Sequence, residues 1–482
     1  MLTRERLLYL LVMLVMGCLP AAHADESALL NAVEQLSPAE SPAEPADTVC
    51  EISLVGHSRT KERLVHLLLG IDTGSSPDSV ELDQAEARLM ATGVFSKVKI
   101  LDVRRKDGRH LFVVLSELPR LSLGDLGGTL YSRRYGKDDS FWRLWRIGAS
   151  LRLGNIGGRM ESLSMAVNFW EWRSVWLTWK KPLYPSPYSL SVGGGLSSFP
   201  LTSRPWRSLS VRTKFSVARA LAGGGSVYLG VVPLYNRMVY HGPKDSTSAL
   251  WEADQSDERF FEVFTGVGAT LHKYDRYYPH RKGWYGRWQL GFNQPLASGS
   301  ASRQYMQLDT DMRLHVPAWP PKTSLAYRGQ ASLRSSDGGR FHYLTAGSEH
   351  TIRGFGSGTL GLTSRANNRV LLTAEYRFPI VATPPLRMPG IVDIVLPTRD
   401  VYYRLDGAFF VDYAHLWHDI THPLTGHESG LAVGTGFRIA LPPAKRALCA
   451  DLVPVVIYQG KMISKLTDTR QWGYHLYIDL VF

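Results

Sequence analysis

The sequence predicts a mainly β protein, a transmembrane antiparallel β-barrel of about 16 strands preceded by one small α+β domain. Three observations predict it. The chain opens on an export signal, alternates apolar with polar residues over most of its length, and closes on an alternating strand that ends at Phe482. A chain built this way crosses a membrane with strands rather than helices.

Composition agrees. The 482 residues include 44 glycines, 22 tyrosines and 13 tryptophans, and only 20% are charged. Mean hydropathy is −0.13, too polar for a bundle of apolar membrane helices. In a barrel, lipid-facing and lumen-facing residues average to this range, and Tyr and Trp suit the membrane–water interface. The formal net charge is +12. Such an excess can line a lumen, contact anionic headgroups or bind nucleic acid. With no basic recognition module in the chain, no nucleic-acid partner is expected.

Met1 to Ala24 reads as a signal peptide: Arg4 and Arg6, an apolar run from Leu7 to Met16, and the small-x-small site Ala22-His23-Ala24. The run is too short for a membrane span, which needs about 20 residues. Cys18 follows Val15-Met16-Gly17, a poor lipoprotein site because of Met16. Removal of the signal leaves Cys50 and Cys449 at opposite ends of the chain, so no structural disulfide is expected. Residues 25–48, rich in Ala, Pro, Ser and Glu, read as a flexible linker.

Residues 50–120 read as strand, helix, helix, strand, strand. Glu51 to Val55 is a strand ending at Gly56, and Lys61 to Leu69 a helix stopped by Gly70. A second helix runs from about Pro77 to Thr92 with Leu82, Ala85 and Leu89 on one face and Gly93 as its cap. Val98 to Arg104 and His110 to Leu118 pair through a turn at Lys106-Asp107-Gly108.

From Leu121 to Phe482 alternation takes over. In Met306 to Val316, one face holds Met306, Leu308, Met312, Leu314 and Val316, and the other Gln307, Asp309, Asp311, Arg313 and His315. That is a strand between lipid and a wet lumen. The last strand places Trp472, Tyr474, Leu476, Ile478, Leu480 and Phe482 on one side. A terminal aromatic closing such a strand resembles the recognition signal of outer-membrane barrels. Irregular, turn-rich segments from Tyr240 to Glu258 and Pro384 to Tyr403 are expected to be outer loops.

These features resemble the BamA/TamA-type outer-membrane assembly and translocation family, and the resemblance covers nearly the whole mature chain. Residues 50–120 are similar to a POTRA (polypeptide-transport-associated) domain. Its helix-to-strand signature is matched by Leu89-Met90-Ala91-Thr92-Gly93-Val94-Phe95-Ser96-Lys97-Val98, in which Gly93, Phe95 and Val98 stop the helix, pack back on it and enter the sheet. Gly154-Asn155-Ile156-Gly157-Gly158-Arg159 resembles the family's barrel start, and Asp275 with Pro279 and Gly283 a mid-barrel motif. Most diagnostic is Thr351-Ile352-Arg353-Gly354-Phe355, which resembles the Arg-Gly-Phe loop that folds back into the lumen. The resemblance implies that Arg353 meets acidic residues of the inner wall, here Glu375 and Asp412. Guanidinium suits that role because it is permanently charged and pairs bidentately with carboxylates. Where the family usually has glycine, this chain has Ala414.

Other constellations carry no chemistry. His342, His350, His415, His418, His422 and His427 lack the paired spacing of metal ligands. There is no nucleophile elbow, Gly354-Phe355-Gly356-Ser357-Gly358 included. No enzyme activity, cofactor or metal is expected. The resemblance implies a barrel assembly, insertion or protein translocation factor in the outer membrane of a Gram-negative-type bacterium, with the POTRA domain in the periplasm. Its partners would be outer-membrane lipids, unfolded outer-membrane or secreted client proteins, and periplasmic accessory subunits. Two alternatives stand beside it: a passive or selective outer-membrane pore, and a secretion pore dedicated to one partner protein.

Overall fold

The computed structural model describes residues 48–479 except for internal stretches, the longest being 132–142, 241–257 and 383–403. The signal peptide, nearly all of the 25–48 linker, Gly93, Asp275, Pro279, Trp472, Leu480 and Phe482 lie outside the described residues.

The N-terminal domain contains β1 (Val49–Val55), α1 (Glu62–Leu69), α2 (Ser79–Ala91), β2 (Phe95–Arg105) and β3 (Gly108–Glu117). Its sheet has the order β1-β3-β2, with β1 parallel and β2 antiparallel to β3. The central strand β3 carries Leu111, Val113 and Leu115, on which Val65 and Leu69 of α1 and Ala85 and Leu89 of α2 close the core. Phe95 and Val98 are buried in that core. Gly70 ends α1 in the left-handed region (φ 59°) and its N–H donates to the His66 carbonyl at 3.2 Å. Cys50 and Cys449 belong to different sheets and share no disulfide.

The barrel follows: β4 (Leu121–Tyr131), β5 (Arg143–Ile156), β6 (Glu161–Trp170), β7 (Arg173–Pro182), β8 (Tyr188–Pro200), β9 (Trp206–Ala220), β10 (Gly225–Tyr240), β11 (Glu258–Tyr274), β12 (Gly283–Ala297), β13 (Tyr305–Ala318), β14 (Thr323–Arg334), β15 (Asn368–Ala382), β16 (Arg404–Trp417), β17 (Glu428–Leu441), β18 (Arg446–Tyr458), the two-residue β19 (Lys461–Met462) and β20 (Gly473–Asp479). Each pairs antiparallel with its neighbour, and β20 returns to β4 to close the barrel. Sixteen of these strands form the wall, with β19 as a short extension of β18. Closure gives every described wall strand a neighbour on both sides, as a lipid environment demands.

Alternation sets the two faces. Leu177, Leu196, Val211, Phe215, Leu229, Val267, Leu290, Met312, Leu372 and Phe409 are exposed on the outer surface, an apolar band that only lipid would cover. Among the described residues no helix is long and apolar enough to cross a membrane.

Strand parity fixes which loops share an end. β4 leaves the N-terminal domain, so odd-numbered strands from β5 to β17 run back towards it. β10 therefore ends and β11 begins at the far end. β15 ends and β16 begins at the domain end, and the segments 241–257 and 383–403, read as outer loops, lie outside the described residues. Turn-rich composition marks a loop but carries no information about which rim it leaves; only the strand count does.

The domain is docked on the barrel's near end. The Gly154–Arg159 motif lies in the hairpin between β5 and β6, one strand beyond the start of the barrel. Asn155 Nδ2 donates to Thr60 Oγ1 at 2.8 Å, and the Lys61 N–H donates to the Gly158 carbonyl at 3.1 Å. Gly158 has φ 72°, and a Cβ there would lie 2.3 Å from the Arg59 carbonyl oxygen, so the close approach requires glycine. Met160 joins the domain's own apolar core, and the Tyr184 hydroxyl donates to its sulfur at 3.2 Å.

Glu117, the last residue of β3, organises the domain side. Its carboxylate accepts from the Thr60 N–H (2.7 Å), the Thr60 hydroxyl (2.6 Å), the Arg59 N–H (3.2 Å) and Arg59 Nε (3.0 Å). Burial pushes this carboxyl up, but the bonds from Thr60 and Arg59 outweigh it and hold the group below its usual value. A depressed folded pKa means stabilisation that is complete above the ordinary carboxylate range and lost as pH falls through the lowered folded value. Hydrogen-exchange protection of residues 58–61 should therefore persist until the pH is below about 4.3 and then fall. In Glu117→Gln the protection should be weaker at neutral pH, and the acid step should disappear.

Candidate functional site

Between β14 and β15 the chain turns into the barrel and packs against the inner wall of β15–β18 and β20. Loops of this kind need their backbone and charged groups satisfied inside the protein. Three sets of partners do this.

The first is built on Arg353, which is buried. Its Nε and Nη2 donate to the two oxygens of Asp412 on β16 at 2.6 and 2.7 Å, a bidentate pair, and its own N–H donates to Asp412 Oδ2 at 3.1 Å. Nη1 donates to Glu375 on β15 (3.0 Å) and to Asp451 on β18 (3.2 Å). The guanidinium carbon lies 3.3 Å from the centre of the Phe410 ring, a stacked cation–π contact. Glu375 also accepts from Arg377 Nε at 2.7 Å and from Arg438 Nε and Nη2 at 3.1 and 2.9 Å. Arg438 Nη1 reaches Asp451 as well. Three guanidiniums thus interlock with three carboxylates, and a fourth buried carboxylate, Asp406, is the register partner of Arg438.

This network reaches the last strand. Tyr477 of β20 donates its hydroxyl to Asp451 Oδ2 at 2.9 Å, and the Gly354 N–H donates to His475 Nε2 of β20 at 2.9 Å. Nε2 therefore acts as an acceptor, which places a ring proton on Nδ1 if the imidazole is neutral. Gly354 has φ 83°, and a Cβ there would meet Val453 and Val456 at 2.8 and 2.9 Å. Around it Ile352, Phe355 and Leu360 of the loop pack on Ala414, Leu416, Ala432, Val453 and Val456 of the wall. Ala414 is fully buried there, a small side chain where the loop presses on the wall.

The second set is Glu428, which accepts from the Gly361 and Ser364 N–H groups at 3.1 and 2.6 Å. The third is Glu262 on β11, which accepts from Ser302 (2.6 Å) and Asn293 (3.0 Å) and faces His342 of the loop at 3.3 Å. Among the described residues no cluster of three or more His, Cys, Asp or Glu could hold a metal ion.

The residues singled out from the sequence are thus divided between two places. Arg353, Gly354, Phe355, Glu375 and Asp412 meet in the barrel. Phe95 and Val98 lie in the N-terminal domain. Tyr474, Leu476 and Ile478 are in β20, opposite Leu452, Ala450 and Leu448 of β18. Sequence reasoning missed Arg377, Arg438, Asp451, His475 and Tyr477. Their one signal was a charged or polar residue on the inner face of an alternating strand.

Among the described residues the β20–β4 seam is the shortest ladder of the wall. β20 pairs with β4 over four residue pairs, His475↔Tyr131 to Ile478↔Gly128, whereas β10 and β11 pair over fourteen. The ion network therefore holds β20 from the lumen side, where its ladder to β4 is short.

Removing one partner from a buried ion network leaves uncompensated charge, at a cost of about 3–5 kcal/mol. Arg353→Ala should lower the barrel's stability by that order, read as the temperature at which the heat-modifiable band shifts on a gel. His475→Ala and Tyr477→Phe should each cost about 1–3 kcal/mol, the range for a buried polar group left without its partner.

The comparisons with known proteins agree with this architecture. The Omp85 superfamily domain matches residues 126–448. BamA from Haemophilus ducreyi lacking POTRA domains 1–3 is similar in structure, with TM-score 0.58 and 15% identity over 91% of this chain and 85% of that one. CdiB from Acinetobacter baumannii gives TM-score 0.57 and 12% identity over 89% and 73%. CdiB from Escherichia coli gives 0.51 and 11% over 96% and 99%. No curated protein sequence matches the chain. The domain match spans most of the barrel, and the solved structures repeat its fold: the chain belongs to the Omp85 superfamily of outer-membrane β-barrels, which serve protein insertion or translocation.

Proposed function

We propose that this protein inserts client chains into the outer membrane by opening the β4–β20 seam, with the N-terminal domain acting as a periplasmic POTRA domain that receives them. The observation that carries the reading is the seam, four residue pairs long among the described residues, whose β20 side is held from inside by the Arg353 network. An open seam exposes unpaired N–H and C=O groups to lipid, where they are costly. A client strand that pairs with them relieves the cost and is itself folded by the pairing. Arg353, through Asp412, Glu375 and Asp451, keeps the lumenal loop seated while β20 lets go of β4.

The domain supplies a matching acceptor. β2 is an edge strand of its sheet, so an extended client can add beside it through main-chain hydrogen bonds. Lys97, Lys99, Arg104 and Arg105 of β2 favour acidic client segments. No bond of the client is broken in this process, so it needs no cofactor and no nucleophile.

Leu130 and Leu476 are register partners across the seam. Leu130→Cys with Leu476→Cys, oxidised to a disulfide, should block insertion of new barrels, and reduction should restore it. Insertion that continues with the seam locked removes this mechanism and favours passage through the lumen. Depletion followed by outer-membrane proteomics then separates the remaining readings. Broad loss of barrels marks a general insertase, loss of one protein a dedicated secretion pore, and no loss a passive pore.

A further inference from the structure

The loop 418–427, between β16 and β17 at the far end, turns back over the outside of the wall. Strand parity fixes the direction. On β16, Asp412, Ala414 and Leu416 are buried on the inner face, whereas Phe409, Val411 and Tyr413 are exposed on the outer one. His415 and Trp417 therefore point outward. The register with β17 runs without a shift to Leu416↔Glu428. Glu428 is buried inward, which turns the preceding His427 outward, and its ring stands 5.0 Å from that of His415.

Both outward rings hold the loop's tip. His415 Nε2 donates to the Pro423 carbonyl at 2.9 Å, and His427 Nδ1 donates to the Leu424 carbonyl at 2.8 Å. A carbonyl oxygen only accepts, so each ring carries a proton at that nitrogen. His415 lies two residues before the end of β16, about 7 Å back along the strand. A tip held at that level lies beside the wall rather than above it.

The rings beneath the tip continue the lipid-facing surface. Tyr413 stacks on His415, with centroids 6.5 Å apart and planes 10° apart, and His415 packs on Trp417 at 5.1 Å. Rings with an apolar body and a polar tip suit the edge of a bilayer. The polar half of the loop is closed on itself: Asp419 Oδ1 accepts from the Thr421 N–H and hydroxyl at 2.9 and 2.8 Å. The apolar half is bare, with Leu424 78% and Ile420 44% exposed. On a loop laid against a membrane-facing wall, the apolar phase within their reach is the bilayer.

We propose that loop 418–427 is a membrane-seated flap, in which Leu424 and Ile420 enter the leaflet at the far rim and His415 and His427 aim them. The same hairpin holds the lumenal loop at its base. Asn368 Nδ2 donates to the His418 carbonyl at 2.9 Å, and Glu428 accepts from Gly361 and Ser364. Lipid that grips the tip therefore braces the hairpin on which the lumenal loop returns to β15.

The test uses the full chain folded into phosphatidylcholine vesicles. A bimane label is placed at Thr425→Cys in a Cys18→Ser, Cys50→Ser background. Cys449 is buried, and the background protein supplies the labelling blank. Quenching is read with a nitroxide on the lipid near its headgroup, and separately with iodide on both sides of the membrane. Leu372→Cys in the apolar band gives the lipid reference, and Gln84→Cys, exposed on α2, the aqueous one. The label at 425 should follow the Leu372 pattern, quenched by lipid and protected from iodide. Adding Leu424→Asp with Ile420→Asp should move it to the Gln84 pattern, and so should His415→Ala with His427→Ala. The Gln84 pattern without either pair of changes overturns the flap. Protection from both quenchers marks a second copy of the chain as the cover and overturns it equally. Lipid quenching that persists in the aspartate variant shows the dye seeking the bilayer by itself, and persistence in the histidine variant removes the histidines' role. Heat-modifiability reports whether each variant has folded, and His427→Ala alone replaces the histidine pair if the pair has not.

Discussion

The Arg353 guanidinium cannot be buried alone, and much of the barrel interior is arranged around that fact. An unpaired charge in this environment costs several kcal/mol, so every nearby wall strand contributes something to it. β16 gives Asp412 in the bidentate pair, β15 gives Glu375, and β18 gives Asp451. Those carboxylates then need cations of their own, which Arg377 and Arg438 supply. The loop is therefore placed by charge first and by packing second. Ile352, Phe355 and Leu360 meet a wall of Ala414, Ala432 and valines that leaves room for them. A network of this kind is weak evidence for net stability but strong evidence for one arrangement, because each partial arrangement strands a charge.

That arrangement also bears on the proposed opening of the seam. Among the described residues the β4–β20 ladder is short, and His475 and Tyr477 of β20 are held by Gly354 and Asp451. In a bilayer the outer side of the same joint would face lipid, which offers no competing hydrogen bonds. Opening the seam would sacrifice few of the main-chain bonds among the described residues, whereas releasing the loop would strand several charges. Seam motion with the loop seated is the cheaper of the two. Across the lumen, β9 to β11 pair over long ladders, so the two sides of the wall differ in mechanical character.

Several parts of this structure were readable from residues alone, and the reason differs for each. The barrel followed from period-2 alternation, clearest in Met306 to Val316, because a side-chain period of two survives any detail of closure. Arg353, Glu375 and Asp412 could be named because they sit in motifs, and motifs are local. Asp451 and His475 could not: they lie 98 and 121 residues beyond the atoms they contact, and alternation gives a residue's face but not its partner across the lumen. Arg438 was hidden for the same reason, although a lone arginine inside Gly434-Thr435-Gly436-Phe437-Arg438 is an anomaly that burial among carboxylates explains. The Gly154–Arg159 motif illustrates a subtler limit. Its glycines announced a tight turn, but what the turn touches, the Arg59–Lys61 segment, belongs to another domain about a hundred positions earlier in the chain.

That contact links the two halves of the protein in a specific way. β3, the central strand of the N-terminal domain, ends at Glu117, and β4, one strand of the seam, begins at Leu121. Only three residues separate them, a connection that spans about 10 Å when fully extended, so the domain cannot shift far without pulling on the seam. The same Glu117 holds Thr60 in place for Asn155, and Asn155 is the next-to-last residue of β5, the strand paired with β4. The domain thus grips β4 directly through the chain and β5 through the docked turn. A client that binds at β2 and displaces the domain would act on β4 through one connection while the other stays engaged. In mechanical terms that is a shear across the first two barrel strands, next to the joint with the fewest residue pairs among the described residues.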